Sequence, residues 1–223
     1  MMDFTDMRER MVREQLEASA RGITNPRVLA AMGKVPRHEF VPEYLQDNAY
    51  GDMALPIGEG QTISQPFVVA HMTQHLDPQP NDCALEVGGG CGYQAAILGD
   101  MAKTVYSLEI VESLARQAAA TLERLGHHNV SMIHADGQAG WLSAAPYDVI
   151  LVACADQAVP AVLVEQLAEN GRLIMPVGPR THQELRLLKK QHGRIEQTAV
   201  LPVRFVPMTG ESVSGGADNA LDG

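Results

Sequence analysis

The chain has 223 residues, 45% of them apolar, and a formal net charge of −10. That length permits one well-buried core with little left for a second full domain, and the apolar content excludes global disorder. An acidic chain lacks the basic face that phosphates demand, so neither nucleic acid nor an anionic membrane surface is expected as a partner.

The opening run MMDFTDMRER carries charges of both signs and no apolar centre, unlike a signal or transit peptide. Residues 7–21 have the spacing of an amphipathic helix, with Met7, Met11, Leu16 and Ala18 as apolar positions. Asn25 and Pro26 supply an N-cap and a first-turn proline for a second helix, which Pro36 stops. Residues 55–66, LPIGEGQTISQP, are dominated by Gly and Pro and are expected to form a long loop of the kind that carries function. Residues 67–76 return to a helical pattern.

From Cys83 the rhythm changes. Strands are predicted at 83–87, 104–108, 130–133, 148–153 and 172–175. Helices are predicted at 93–101, at 113–125 with Gly126 as the closing glycine, and at 159–167. Alternation of apolar strands with helices predicts an α/β fold with an open, mostly parallel sheet covered on both faces. Two further strands, 184–189 and 195–206, follow with Gly193 at the turn. The tail, 211–223, is rich in Gly, Ser, Ala and Asp and is expected to be disordered. The expected organisation is therefore 1–80 as a helical and loop segment, 81–210 as the core, and 211–223 as a tail on one structural domain.

Cys83, Cys91 and Cys154 form no C-x-x-C pair, so neither a disulfide framework nor a zinc site is expected. The most apolar run, 147–155, is too short to span a bilayer. A cytoplasmic protein is expected. Nothing in the sequence demands an oligomer, and a monomer is compatible with it. His71 and His75 stand four apart, but no glutamate follows His71, so the H-E-x-x-H zinc pattern fails and no metal is expected. Trp141 is expected to serve packing.

In open α/β sheets ligands bind beyond the carboxyl ends of the strands. After the first core strand comes E-x-G-x-G-x-G, formed by Glu86, Gly88, Gly90 and Gly92. The phosphate loop G-x-x-x-x-G-K-[ST] is absent, and the dinucleotide pattern fails at Tyr93. Glu109 closes the second strand, where a carboxylate can accept both hydroxyls of a ribose. Asp136, in Ala135-Asp136-Gly137, follows the third and suits an adenine edge. A glycine turn without a cation, beside two acids, points to an adenosine ligand lacking phosphates. S-adenosylmethionine, cationic at sulfur, suits this acidic rim.

With these motifs in order, the sequence resembles the protein-L-isoaspartate O-methyltransferases from about residue 11 to 210. The resemblance is carried by Val35-Pro36-Arg37-His38, the run 55–66, the block 86–95, Asp136-Gly137 with Gly140-Trp141, and Val203-Arg204-Phe205-Val206-Pro207. It implies a Rossmann-like class I methyltransferase fold with a helical N-terminal extension. It also implies methyl transfer from S-adenosylmethionine, leaving S-adenosylhomocysteine, to the carboxyl of L-isoaspartyl and also D-aspartyl residues in damaged proteins. Gln61, Thr62 and Ile63 are then expected at the cofactor's methionine end, with Ser64 as the active-site hydroxyl on the acceptor carboxylate. Ile63 and Val206 would touch the substrate. Glu109 and Ile110 would hold the ribose and flank the adenine, and Asp136-Gly137 would meet its edge. Cys91 stands where the family usually has serine beside the cofactor, and Thr209 is a further cofactor contact. The family's turn is usually E-[IV]-G-[TS]-G-[ST]-G, so Gly89 and Cys91 depart from it, and cysteine is the poorer hydrogen-bond donor. Asp156 adds a carboxylate after the fourth strand, expected as a helix cap. If it faced the substrate, it would favour an alternative: a carboxyl methyltransferase of the same fold acting on a different peptide or small carboxylate.

Overall fold

The structure, a computed structural model, describes residues 3–18 and 22–210. The end of the first expected helix and the tail at 211–223 lie outside the described residues. Helix α1 (Phe4–Arg10) is capped by Asp3, whose carboxylate accepts from Thr5 N at 2.8 Å. It runs on into a π-wound segment, Met11–Glu17. The wider winding puts Met11 and Leu16, five residues apart, on one fully buried face, while Ala18 is exposed. Helix α2 (Pro26–Lys34) begins as its sequence predicts, with the Asn25 side chain accepting from Arg27 N at 3.0 Å.

The segment expected as a loop is instead a β-hairpin. Strand β1 (Leu55–Gly58) pairs with β2 (Gln61–Ile63), Leu55 opposite Ile63. Leu55, Ile57 and Ile63 point inward and are buried, and this alternation outweighs the weak strand propensity of Pro56 and Gly58. Glu59 and Gly60, both at positive φ (51° and 69°), make the turn. Helix α3 (Pro66–Leu76) follows, its start held by Asp52, which accepts from Phe67 N at 3.3 Å.

Strands β3 (Cys83–Val87), β4 (Thr104–Glu109), β5 (Val130–His134), β6 (Tyr147–Val152), β7 (Leu167–Val177), β8 (Gln183–Gln191) and β9 (Arg194–Val203) form one sheet. Its order is β5-β4-β3-β6-β7-β8-β9. The first five are parallel; β8 and β9, the two further strands expected at the end, join antiparallel. Helices α4 (Tyr93–Gly99), α5 (Glu112–Arg124) and α6 (Ala161–Glu165) occupy the crossovers. Helix α6 is shorter than predicted. Gln166 leaves the helix because its amide is fixed to the preceding loop, accepting from Trp141 N and donating to Ala139 O, and its own carbonyl accepts from Tyr147 N.

The sheet is apolar on both faces. Ala84, Val105, Leu151 and Ile174 pack against α3 and α4, and Leu85, Val87, Ile150 and Leu173 pack with Leu163 of α6. The N-terminal helices and the hairpin share a core with α4 and α5 through Met32, Ile57, Ile97 and Leu114. Trp141 packs at the edge of the second cluster, as expected. No helix among the described residues is long and apolar enough to cross a membrane.

His71 and His75 stack on one face of α3 at 4.3 Å between ring centroids. His71 is buried and neither ring nitrogen has a hydrogen-bond partner among the described residues. Burial, with some repulsion from His75, pushes it down to about 4. A depressed histidine leaves the folded state binding fewer protons than the unfolded one, so its stabilising effect is lost as pH falls from about 6.5 toward 4. His71→Phe, which keeps a ring against Phe67, should therefore lose about 2 kcal/mol less stability than the wild type between pH 7.5 and pH 5. Urea unfolding at the two pH values measures this, and parallel losses in both proteins would show that His71 is not the group responsible.

Candidate active site

The carboxyl ends of β3, β4 and β6 surround the point where the strand order reverses, the place an open α/β sheet offers to a ligand. The chain leaves β3 through Gly88 and Gly90, whose φ values of 84° and 53° exclude most side chains. At Gly89 a Cβ would strike the Ser107 hydroxyl and Met132, so the departure from the family's usual residue there fits tight packing. Gly92 caps α4 and packs on Ala118 and Leu122, which places it behind the turn and away from the ligand side.

Glu109, 5% exposed, turns back across this turn. One oxygen accepts from Gly90 N at 2.7 Å and the other from Val111 N at 2.8 Å. Its neighbour Glu86 is fully buried and accepts from the Ser107 hydroxyl at 2.5 Å, leaving Oε1 without a partner among the described residues. Burial, reinforced by the charge of Glu109 and opposed by Ser107, pushes the Glu86 carboxyl up to about 8. Burial likewise pushes the Cys91 thiol up to about 11, so it remains a neutral thiol.

Three adjoining hollows share Thr62 and Ala153 in their walls. The first is lined by Gln61, Gly90, Glu109, Ile110, Gly137 and Thr209. The second is lined by Ile63, Ser64, Glu86, Gly88 and Cys91. The third is an open cleft of about 430 Å³ lined by Ser64, Gln65, Arg180, Arg204, Phe205 and Val206. Ser64 belongs to both the second and the third. The predicted residues thus converge, apart from Gly92 and Asp136. Asp136 caps the short helical turn at Gly137–Ala139, accepting from Gln138 N at 2.9 Å, and Gly210 lies against its carboxylate.

Asp156 lines none of these hollows. Its carboxylate accepts from Gln157 N at 2.6 Å, and its backbone bridges to Val177. It does not cap α6 either, since Pro160 holds that position. Sequence reasoning missed Ala153, Cys154 and Met208 in the first hollow's wall. Small residues just past a strand end, as in Ala153-Cys154-Ala155, were the available signal.

Arg37, from the quoted V-P-R-H motif, is fully buried. It donates to Ala49 O at 2.7 Å and stacks over the Tyr93 ring at 4.9 Å, tying the approach to the hairpin onto α4. The opposite wall is a strap formed by residues 205–209. Ala155 N donates to Val206 O at 2.8 Å and Met208 N to Ala155 O at 2.7 Å. The Gln183 amide makes two bonds to Phe205, accepting from its N at 2.6 Å and donating to its O at 3.3 Å. A buried side chain thereby replaces a ladder partner. Gln183→Leu should leave the Phe205 backbone unpaired, lower stability by about 2 kcal/mol, and raise the Michaelis constants for both donor and acceptor several-fold. Steady-state kinetics with thermal unfolding checks this. Unchanged constants would mean that the strap holds itself.

Comparison with known proteins agrees with this geometry. The family model described as protein-L-isoaspartate(D-aspartate) O-methyltransferase matches residues 7–213. A protein-L-isoaspartate O-methyltransferase of Opitutus terrae is 51% identical over 208 residues, covering 93% of this chain and 88% of the relative. One from Methanoregula boonei is 48% identical over 93% of this chain and 94% of its own length. Among solved structures, a protein-L-isoaspartate O-methyltransferase superposes with a TM-score of 0.82 at 28% identity; the match covers 92% of this chain and 66% of that one. A Plasmodium falciparum structure described as the same enzyme in complex with S-adenosyl-L-homocysteine gives 0.80 at 26% identity, covering 94% and 99%. Sequence match, superposition and the convergence of hairpin, glycine turn and strap lead to one conclusion: the chain belongs to the protein-L-isoaspartate(D-aspartate) O-methyltransferase family.

Proposed function

We infer that this chain methylates the free carboxyl of L-isoaspartyl residues in damaged proteins, using S-adenosylmethionine, and so starts their repair. The observation that carries this reading is the position of Ser64. It directly follows β2, in the wall between the second hollow, lined by Glu86 and Cys91, and the open cleft. A donor in one and an acceptor in the other meet there.

The residues suit the donor. Glu109 and Ile110 border the first hollow beside a glycine turn without a cation, as an adenosine requires. Glu86, with one oxygen unpartnered, lines the second, where a positively charged amino acid end would sit. When bound, S-adenosylmethionine supplies an electrophilic methyl group on a cationic sulfur. The acceptor carboxylate is ionised at neutral pH, with a reference pKa of about 4, so the chain need supply no general base. Its task is to hold the acceptor in line and keep water out. The Ser64 hydroxyl, which has no hydrogen-bond partner among the described residues, is available to orient that carboxylate.

The reading is tested with labelled S-adenosylmethionine and two peptides that differ only in an isoaspartyl or a normal aspartyl linkage. Transfer to the isoaspartyl peptide alone is expected. Equal transfer to both, or transfer only to a small carboxylate, would replace it with the alternative activity.

A further inference from the structure

The third cleft has a charge that the rest of the chain does not. The sequence holds 27 acidic residues against 17 Lys and Arg. Yet the cleft beside Ser64 is walled by Arg180 and Arg204 and by no carboxylate. Arg180 sits in the connection between β7 and β8, and Arg204 directly follows β9. Both are exposed, and neither has an ion pair or hydrogen bond among the described residues. By contrast Arg27 is tied to Asp77, Arg124 to Glu39 and Arg172 to Asp82. Glu184, the acid nearest Arg180 in sequence, is turned to Arg186 at 2.7 Å.

We propose that Arg180 and Arg204 select isoaspartyl segments whose neighbouring residues are acidic. This deepens the proposed function and rests on it. The two guanidinium groups are poorly suited to the reacting carboxylate itself. Methyl transfer joins the carboxylate oxygen to the methyl carbon and breaks the carbon–sulfur bond, turning an anion and a sulfonium into a neutral ester and a neutral thioether. A guanidinium bonded to that carboxylate would hold the starting state more tightly than the transition state and slow the step. Arginines at the cleft act to advantage on charges that persist through the reaction, which are the side-chain carboxylates flanking the damaged residue. Such contacts are equal before and during the step, so they lower the Michaelis constant and leave turnover alone. Being exposed, they are screened by salt.

The test uses the full chain and blocked isoaspartyl hexapeptides with two flanking Glu, two flanking Lys, or neutral flanks. At low ionic strength the Glu peptide should have a Michaelis constant about threefold to tenfold below the neutral one, the Lys peptide one above it, and all three similar turnover. The spread should collapse at 0.5 M salt, and in Arg180→Gln/Arg204→Gln the ratio of Glu to neutral peptide should approach one. A merely structural role for the arginines would shift all three peptides together. A Lys preference, or a Glu preference that survives the double substitution, would overturn the proposal. If the neutral isoaspartyl peptide accepts methyl while the charged ones do not differ, only the selectivity fails. If no isoaspartyl peptide accepts methyl, the functional reading fails and the proposal falls with it.

Discussion

Ser64→Ala is expected to lower turnover with a saturating isoaspartyl peptide by about 10- to 100-fold, the effect of letting a reacting oxygen drift from its line of attack. Cofactor affinity should stay within about twofold, because the adenosine side of the site is built from Glu109, Ile110 and the glycine turn. The acceptor carboxylate is charged before the reaction as well as during it, so part of the loss should appear as a higher Michaelis constant for peptide. A turn serine often spends its hydroxyl on its own backbone. Here that hydroxyl has no such bond among the described residues and borders the peptide cleft. Single-turnover kinetics alongside calorimetric titration of the cofactor separates the two quantities. Wild-type turnover in the variant would leave Ser64 with no role beyond the geometry of the hairpin's end.

The second large effect is expected at Glu109. Glu109→Ala should weaken S-adenosylmethionine binding about 10- to 150-fold, the range for losing hydrogen bonds to a charged acceptor. The structure gives two routes to that loss. Glu109 offers its oxygens at the rim of the first hollow, and it also accepts from Gly90 N and Val111 N, which brace the glycine turn and the start of α5. Glu109→Gln keeps an acceptor for one of these amides and should be milder. Calorimetry gives the affinities, and circular dichroism should show the fold retained in both. An unchanged dissociation constant in the alanine variant would reduce Glu109 to a turn brace.

The parts of the fold that were legible from sequence are those where one physical signal dominates. The strand at Cys83–Val87 is apolar apart from Glu86 and enters a glycine turn, and it falls at its predicted limits. Gly126, at φ 80°, ends α5 where predicted, within a residue. The hairpin was read as a loop because Pro56, Gly58 and Gly60 are poor strand residues. Its stability comes from Leu55, Ile57 and Ile63 meeting a core assembled from distant segments. The same holds for α6, cut short by a Gln166 amide anchored 25 and 27 positions away. In the site, the glycine turn and Glu109 were visible because backbone approach and strand-end position leave a local mark. Arg180 and Met208 leave none, since nothing in their neighbours shows which cavity they will face.

The strap bears on how the enzyme comes into being. Its residues 205–209 are among the last described, yet they wall all the hollows together with a hairpin that begins at Leu55. A nascent chain leaves the ribosome amino end first, so the glycine turn and most of the sheet emerge before the strap does. Until it reaches Ala155 and Gln183, the donor's hollow lacks a side and the acceptor's cleft a wall. Chains ending before Phe205 are therefore expected to hold the methyl donor more weakly than the full chain and to gain less protection from it against proteolysis.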